Sequence, residues 1–174
     1  MKIIIYGSQY GTAKQYATEL AKRIKCEIRS YEEIKEIDSY DTIIYIGALY
    51  AGGVLGMKKT FRNLQNITDK KIIVVTVGLA DPNDKGNTET IRSGIKKQLS
   101  AEVYDNAVIF HLRGGIDYSR LNFKHKTMMS LLYRKAIKLP EEKKTAEVQA
   151  MIDTYNKQVN FINFNELDSI IHNI

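Results

Sequence analysis

Hydrophobic residues along the chain form short apolar runs that alternate with longer amphipathic stretches. Between the runs, apolar positions recur every three or four residues, which predicts helices over Ala13–Ile24, Met57–Asn66 and Thr88–Gln98. Because parallel neighbours need long crossovers, this alternation predicts an α/β protein with a doubly wound, five-stranded parallel sheet. The five predicted strands are Lys2–Tyr6, Glu27–Ser30, Thr42–Ile46, Lys71–Val77 and Ala107–Leu112.

The pattern changes after the fifth predicted strand. Residues 113–122 are predicted to form a loop, and residues 123–138 a basic amphipathic helix. Asn163, followed three positions later by Glu166, has the spacing of a capping pair for a last helix. The sequence has no internal repeat and no low-complexity linker, so we expect residues 1–174 to form a single domain.

The basic charge of the chain is concentrated in one segment. The 174 residues are 44% hydrophobic and 26% charged, an ordinary globular composition, with a formal net charge of +6. Residues 113–138 hold seven basic residues and one acid, so this segment accounts for the whole imbalance. Such a segment favours anionic partners: acidic proteins, phosphates, carboxylated substrates or an anionic membrane surface. Nucleic acid is not among the partners that we expect.

The numbers of cysteines and histidines bear on the cellular compartment and on metal binding. The single cysteine, Cys26, has no partner for an internal disulfide, which is typical of a reducing, cytoplasmic protein. Residues 1–6 run directly into a strand pattern, so we expect no targeting segment, and no apolar run is long enough to cross a bilayer. Three scattered histidines make a metal site an unfavourable interpretation. We expect a cytoplasmic location, with peripheral association with a membrane left open.

The turn after the first strand has the features of a phosphate-binding loop. It joins a strand to a helix, so that backbone N–H groups and the positive helix end point at one spot. Ser8 and Thr12 add hydroxyl donors, and Gly11 allows close approach of the backbone. The loop contains no lysine or arginine, which suits a phosphate bound by amides and hydroxyls. The predicted binding residues are Ser8, Gln9, Tyr10, Gly11, Thr12 and Ala13.

Other phosphate-binding classes lack their signatures in this chain. There is no G-x-x-x-x-G-K-S/T of a P-loop NTPase and no G-x-G-x-x-G of a dinucleotide fold. A receiver domain would need a carboxylate at the end of strand three, where this chain has Gly47. A small tyrosine phosphatase would need a cysteine in the first loop, whereas Cys26, the single cysteine, precedes strand two. Flavin mononucleotide (FMN), a phosphomonoester, is the ligand that this loop favours.

The loop sequence Tyr-Gly-Ser-Gln-x-Gly-Thr-Ala resembles the phosphate loop of the flavodoxin superfamily, particularly that of the diflavin reductases. In those proteins a threonine usually stands where this chain has Tyr10, and an acid where it has Lys14. Losing one hydroxyl weakens the side-chain part of the cradle and leaves the amides untouched. The resemblance implies a flavodoxin-like fold with strand order 2-1-3-4-5 and FMN as cofactor.

Two further loops are predicted at the carboxyl end of the sheet, beside the phosphate loop. In the small-residue loop after strand three, Tyr50 is the candidate to stack on the isoalloxazine, the alternative being packing beneath its own helix. The loop after strand four should approach the other side of the flavin. It lacks an aromatic residue, so backbone covers that ring face or a substrate reaches it. The predicted contacts are Ala48, Leu49, Tyr50, Ala51, Gly52, Gly53, Gly78, Leu79 and Ala80.

The overall plan is similar to that of the flavodoxin-like protoporphyrinogen IX dehydrogenases of bacteria, which couple porphyrinogen oxidation to quinones. The stretches 44–50 and 112–135 carry this resemblance. It implies that the basic segment after strand five forms a cationic wall beside the flavin for a carboxylated substrate, with Arg113 as the predicted substrate contact. Alternatively, this segment rests on an anionic membrane. The alternative is a solvated basic helix whose Leu121, Met128 and Leu132 side packs on the sheet.

Three functions stay open at this point. The first is an FMN-dependent oxidoreductase acting on a small-molecule substrate, with flavin doing the chemistry and no catalytic side chain required. The second is an electron carrier between redox partner proteins. A flavin-binding regulator without turnover is a third, weaker hypothesis. The aromatic-free loop after strand four and the basic segment favour the enzyme, and no feature of the sequence indicates an oligomeric state.

Overall fold

The computed structural model describes residues 1–50 and 52–174. Five of its strands form a parallel sheet whose central members are almost entirely apolar. Residues 3–5, 43–46 and 72–75 are fully buried, as expected for strands that are covered on both faces. The five strands are β1 (Lys2–Gly7), β2 (Glu27–Ser30), β3 (Thr42–Tyr50), β5 (Lys71–Gly78) and β6 (Ala107–Arg113).

The strands lie in the order β2-β1-β3-β5-β6, which confirms the predicted flavodoxin-like order 2-1-3-4-5. An additional strand, β4 (Gly53–Val54), pairs antiparallel with the end of β3, placing Tyr50 opposite Gly53. The prediction that residues 47–50 belong to a loop is therefore wrong. Gly47 and Ala48 continue the parallel pairing with β5, and β4 folds back on Leu49 and Tyr50 and extends the ladder beyond it.

Helices cover both faces of the sheet. Apolar side chains of α1 and α7 pack on one face, and those of α2, α3 and α4 pack on the other. Helix α2 is shorter than predicted, and α4 has no counterpart in the sequence prediction. The bounds are α1 Thr12–Ile24, α2 Met57–Phe61, α3 Lys85–Gln98, α4 Ala101–Asn106 and α7 Leu167–Ile171.

The segment after β6 folds over the carboxyl ends of the strands. Residues 115–160, which we call the cap, contain two short strands and two helices. The strands pair antiparallel, so the prediction of a plain loop over residues 113–122 is wrong. The elements are β7 (Gly115–Asp117), α5 (Phe123–Ala136), α6 (Ala146–Thr154) and β8 (Gln158–Asn160).

A small third core joins the cap to the loops of the sheet. Ile116, Tyr118 and Met129 form its centre, with Tyr10 and Leu79 packed against it. The cap thus rests on the phosphate loop and on the loop after β5. The basic helix predicted over residues 123–138 is present as α5. Leu121 and Met128 pack in this core and Leu132 is exposed, so the alternative in which this side of the helix packs on the sheet is wrong. Within the described residues, no helix has the length and apolarity needed to span a bilayer.

Candidate functional site

The phosphate loop turns through a left-handed glycine. Gly11 has a φ of +92° and is the residue immediately before the first turn of α1, a conformation that favours glycine. Its backbone N–H donates to Ser8 Oγ at 3.1 Å. The loop is therefore closed on itself, and α1 begins at Thr12 with its N-terminus at the carboxyl end of β1.

The first turn of α1 has free backbone donors. The first backbone bond of the helix runs from Gln15 N to Gly11 O at 3.0 Å. The N–H groups of residues 12–14 have no partner among the residues that the structure describes, and no side chain caps them. The first turn also holds no acid that could neutralise the helix dipole. Free donors at a positive helix end form a site for an anion.

Two buried hydroxyl groups lie beside this loop without partners. Tyr10 Oη and Tyr118 Oη are both buried, and neither has a hydrogen-bond partner in the described chain. Burial raises the pKa of Tyr10 and of Tyr118 to about 12, so both phenols are neutral donors. Because buried polar groups normally have partners, these hydroxyls fit a bound ligand rich in oxygen atoms. The phosphate and ribityl chain of FMN have that chemistry.

One histidine of the cap also contacts the phosphate loop. Gln9 Nε2 donates to His125 Nε2 at 2.9 Å. The His125 ring also meets the Tyr10 ring edge to face, with centroids 5.6 Å apart. Helix α5 therefore contacts the same loop that presents the free amides of α1.

The loop after β5 is held by a partly buried carboxylate from the cap. Glu147, on α6, accepts the N–H groups of Leu79 and Ala80 at 3.2 and 3.0 Å. Burial raises the pKa of Glu147, while these hydrogen bonds and the charge of Arg113 act in the opposite direction. Gly78 lies so close that a Cβ there would be 2.2 Å from Glu147 Oε1. Two of the predicted flavin-contacting residues thus already have a protein partner for their amides.

Arg113 lies at the carboxyl end of β6, as predicted, and is held there by protein contacts. Its Nε donates to Leu79 O at 2.9 Å, and its guanidinium lies 3.7 Å from the centroid of the Phe161 ring. Its backbone carbonyl accepts the Tyr16 hydroxyl at 2.8 Å. Arg113 and Glu147 therefore hold the loop after β5 from two directions. Substrate binding by Arg113 stays a prediction.

The hairpin of β3 and β4 forms one wall of an open groove. Tyr50 contributes to this wall and donates its hydroxyl to Met128 Sδ of the cap at 3.1 Å. The groove has a volume of about 820 Å³, within the range of small-molecule sites. Of the predicted residues in this region, Ala48 and Leu49 lie in β3, and Ala51 lies outside the described residues. The groove is lined by Tyr50, Gly52 and Gly53 from the hairpin and by Gly86, Thr90, Lys97 and other residues of α3.

Five residues that contact the predicted site were not identified from the sequence. They reach it because β7 pairs with β8, which places α5 and α6 on the loops of the sheet and Tyr118 and Phe161 at opposite ends of the hairpin. These strands have three residues each, too few for an alternating pattern to be visible. The five residues are Tyr118, His125, Met128, Glu147 and Phe161. The described residues contain no group of histidine, cysteine and acidic side chains that could hold a metal ion.

A parallel sheet of this order, with an anion-binding helix N-terminus at the point where the strand order reverses, defines a flavodoxin-like α/β protein. The family model of the flavodoxin domain matches residues 3–145. The chain belongs to this family, and its cofactor is FMN.

Several solved structures are similar to this chain at low sequence identity. A flavoprotein from Lactobacillus acidophilus in complex with FMN has 12% identity and a TM-score of 0.44, over 64% of this chain and 91% of its own. The Trp repressor binding protein of Bacillus subtilis has 18% identity and a TM-score of 0.44, over 66% and 83%. A flavodoxin mutant from Pseudomonas aeruginosa has 16% identity and a TM-score of 0.41, over 79% and 97%. No curated protein matches the chain significantly.

Proposed function

We propose that the protein is an FMN-dependent oxidoreductase of the protoporphyrinogen dehydrogenase type or a related quinone-linked type. The observation that carries the proposal is the contact between the cap and two loops of the sheet, through Tyr10 and Leu79. A carrier that exchanges electrons with protein partners needs an accessible flavin edge. A folded segment over these loops favours access by a small molecule instead.

The residues of the site have separable roles in this proposal. The free amides of residues 12–14 and the hydroxyls of Ser8 and Thr12 hold the phosphate. The hydroxyls of Tyr10 and Tyr118 donate to oxygen atoms of the ligand, and the apolar side chains of the third core exclude water. FMN, when bound, supplies hydride or electron exchange between the substrate and an acceptor.

The charge of the cap supports an anionic substrate. Residues 113–138 carry a net charge of +6, whereas carrier flavodoxins are typically acidic and dock on basic partners. Arg113 uses its Nε on Leu79 O, which leaves its terminal nitrogens for a carboxylate. A groove of about 820 Å³ next to Tyr50 also suits a small molecule better than a protein surface.

Anaerobic turnover tests the proposal. FMN-loaded protein is mixed with protoporphyrinogen IX and menadione, and porphyrin formation is followed by fluorescence. We expect porphyrin to form in a quinone-dependent reaction that the Ser8→Ala, Thr12→Val double variant loses along with its FMN. Arg113→Gln is expected to raise KM roughly tenfold with little change in kcat, because it weakens uniform binding.

A different result would support the alternative function. An FMN-loaded protein that turns over no porphyrinogen or quinone, yet exchanges electrons rapidly with a flavodoxin reductase, would be an electron carrier. Equal effects of Arg113→Gln on FMN affinity and on KM would show that Arg113 acts only by holding the loop after β5.

A further inference from the structure

A small pocket lies beside α2, on the face of the sheet opposite to α1. We call it the α2 pocket. Its volume is about 350 Å³, which is enough for a small molecule. Half of its lining residues are cations, and none of them is an acid. The lining residues are Val54, Gly56, Lys58, Lys59, Arg62 and Gln98.

Local packing turns the three cations of the α2 pocket outward. Met57 and Phe61, on the same short helix, are buried in the core beneath it. The cations occupy the other side of the helix and its C-terminal end, where they are exposed. Lys59 Nζ also lies 5.7 Å from the centroid of the Tyr31 ring, a contact that favours one position of this flexible side chain.

The three cations have no acidic partner in the described parts of the chain. None of them forms an ion pair there. Lys58 and Lys59 stand four and three positions before Arg62, so the three charges are neighbours on the helix surface. Glu32, on the loop next to α2, accepts the Tyr31 hydroxyl instead. Because neighbouring like charges destabilise a helix, an anion in the pocket would relieve an unfavourable arrangement.

The polar wall of the α2 pocket is held in place by hydrogen bonds. Gln98 Oε1 accepts Val54 N at 2.7 Å, and Gln98 Nε2 donates to Val54 O at 3.4 Å. A Cβ at Gly53 would lie 2.7 Å from Gln98 Nε2, so this side chain packs directly on the hairpin of β3 and β4. Gln98 also lines the groove beside Tyr50, but the two cavities share no other residue. The α2 pocket is therefore a separate cavity with a preformed wall.

The chemistry of the α2 pocket selects a compact anion with several charges. A guanidinium group binds two phosphate oxygens at once, and lysines add point charges. A diphosphate group carries about three negative charges at neutral pH, which matches the three cations. A concave site of this volume also favours a small molecule over the flatter surface of a protein.

We propose that the α2 pocket binds the diphosphate group of a small molecule, supplied as inorganic pyrophosphate or as a nucleoside diphosphate. Lys58, Lys59 and Arg62 pair with the oxygens of this group. The site goes beyond the proposed function, because it shares no residue with the phosphate loop and does not include Arg113. Its test therefore does not depend on whether the protein turns over a porphyrinogen.

Calorimetric titration of the full-length, FMN-loaded protein with pyrophosphate tests the site, because bound FMN already occupies the phosphate loop. At about 0.15 M salt we expect saturable binding that is at least roughly tenfold tighter than that of inorganic phosphate. A parallel titration with ADP identifies the source of the group. Tighter binding of ADP than of pyrophosphate indicates a nucleotide, weaker binding indicates the inorganic ion, and both results support the site. The flavin absorbance should stay constant throughout.

Variants locate the bound anion. Lys58→Gln with Arg62→Gln should weaken pyrophosphate binding at least roughly tenfold, because two charge-assisted contacts are lost. Both side chains are exposed, so Tm should not fall. The charge-matched control is Lys124→Gln with Lys126→Gln, in the more basic cap, which should change the affinity less than about twofold. In nitrogen-15 NMR spectra, pyrophosphate should shift the side-chain amide of Gln98 and leave the backbone amides of residues 12–14 unchanged.

Four results would overturn the proposal. Pyrophosphate could give no saturable heat, or could bind no more tightly than inorganic phosphate. Equal losses of affinity in the cap variant and the α2 variant would show a general attraction to a basic protein. Release of FMN by pyrophosphate, with NMR shifts confined to residues 12–14, would assign the anion to the phosphate loop instead.

Discussion

The side chain of Glu147 and the backbone of Ala80 are joined by a partly buried hydrogen bond of 3.0 Å, which ties helix α6 to the loop after β5. The second carboxylate oxygen accepts Leu79 N at 3.2 Å. Burial is the largest influence on this carboxyl group, and it raises the pKa of Glu147. A partly buried carboxylate thus accepts two backbone amides of a loop that is predicted to contact the flavin.

Replacing Glu147 should change stability in a pH-dependent way. Because its folded-state pKa is raised, the stability that this titration contributes is present below the ordinary value of 4.5 and is lost as the pH rises through the raised pKa. The advantage of the wild type over Glu147→Gln should therefore shrink from pH 4 to pH 7. Glu147→Ala leaves two amides unpaired and should cost about 1–3 kcal/mol at neutral pH.

Urea denaturation at a series of pH values measures both effects. Glu142→Gln is the control, because Glu142 is exposed and makes no side-chain contact with the loop after β5. A wild-type advantage over Glu147→Gln that stays constant across the pH range would contradict the assigned direction of the pKa shift.

Gly78→Ala should push the Glu147 carboxylate off the amides. A Cβ at position 78 would lie 2.2 Å from Glu147 Oε1 and 2.7 Å from Leu49 Cδ1, so both side chains must move. We expect a loss of about 1–3 kcal/mol in the free energy of unfolding, the usual cost of overpacking. The loss should be smaller in a Glu147→Ala background, because the first clash is then absent.

A double-mutant cycle between positions 78 and 147 measures this coupling. Gly86→Ala is the matched substitution, since a Cβ there meets only Asp84 Oδ1, at 3.3 Å. Additive effects of Gly78→Ala and Glu147→Ala would mean that the carboxylate does not oppose a side chain at position 78.

The sheet could be predicted because the sequence pattern of its central strands is clear. Runs such as Ile3–Ile5 and Ile72–Val75 are continuous apolar segments of strand length, and the turn between β1 and α1 has phosphate-loop chemistry. The strand order followed from the resemblance and is confirmed. The extent of β3 was wrong because its last residues are held by β4, a strand of only two residues.

The helix predicted over residues 123–138 is present in the cap as α5, but the hairpin of the cap could not be predicted, and the cap carries part of the candidate site. Its two strands are joined through the pairs Gly115–Asn160, Ile116–Val159 and Asp117–Gln158, which lie about forty residues apart in sequence. Three residue pairs leave no periodic signal, and nothing local links Glu147 to Leu79 or His125 to Gln9. Contacts between segments so far apart depend on tertiary packing rather than on local propensity.

The phosphate loop should lose FMN when its hydroxyls are removed. Ser8→Ala with Thr12→Val deletes two hydroxyls and leaves the backbone amides of α1 in place. Since a hydrogen bond to a charged group contributes about 1.5–3 kcal/mol, we expect FMN affinity to fall by at least roughly a hundredfold. Flavin-fluorescence titration of the apoprotein gives the Kd.

Thr18→Val with Ser169→Ala is the matched control for this measurement, because it removes the same two hydroxyl types far from the helix N-terminus. Its FMN affinity should equal that of the wild type. An unchanged Kd in the Ser8 and Thr12 variant would refute the assignment of the phosphate loop.

A partly buried histidine should make the fold sensitive to mild acid. His111, on β6, has Nδ1 2.8 Å from Thr76 Oγ1, and its Nε2 is buried without a partner in the described chain. Burial, followed by the charge of Arg92, lowers the pKa of His111 to about 4. Because this pKa lies below the ordinary 6.5, the stability that the neutral ring contributes is present above pH 6.5 and is lost as the pH falls toward 4.

His111→Gln should therefore be less sensitive to acid than the wild type. We expect the wild type to lose about 1–2 kcal/mol more than this variant between pH 6.5 and pH 4, less than the full shift would give because the ring is only partly buried. Guanidinium denaturation across this range provides the comparison, and His172→Gln, at an exposed position, should follow the wild type. Parallel stability profiles for wild type and His111→Gln would show that this ring gains its proton in the folded state as readily as in the unfolded one.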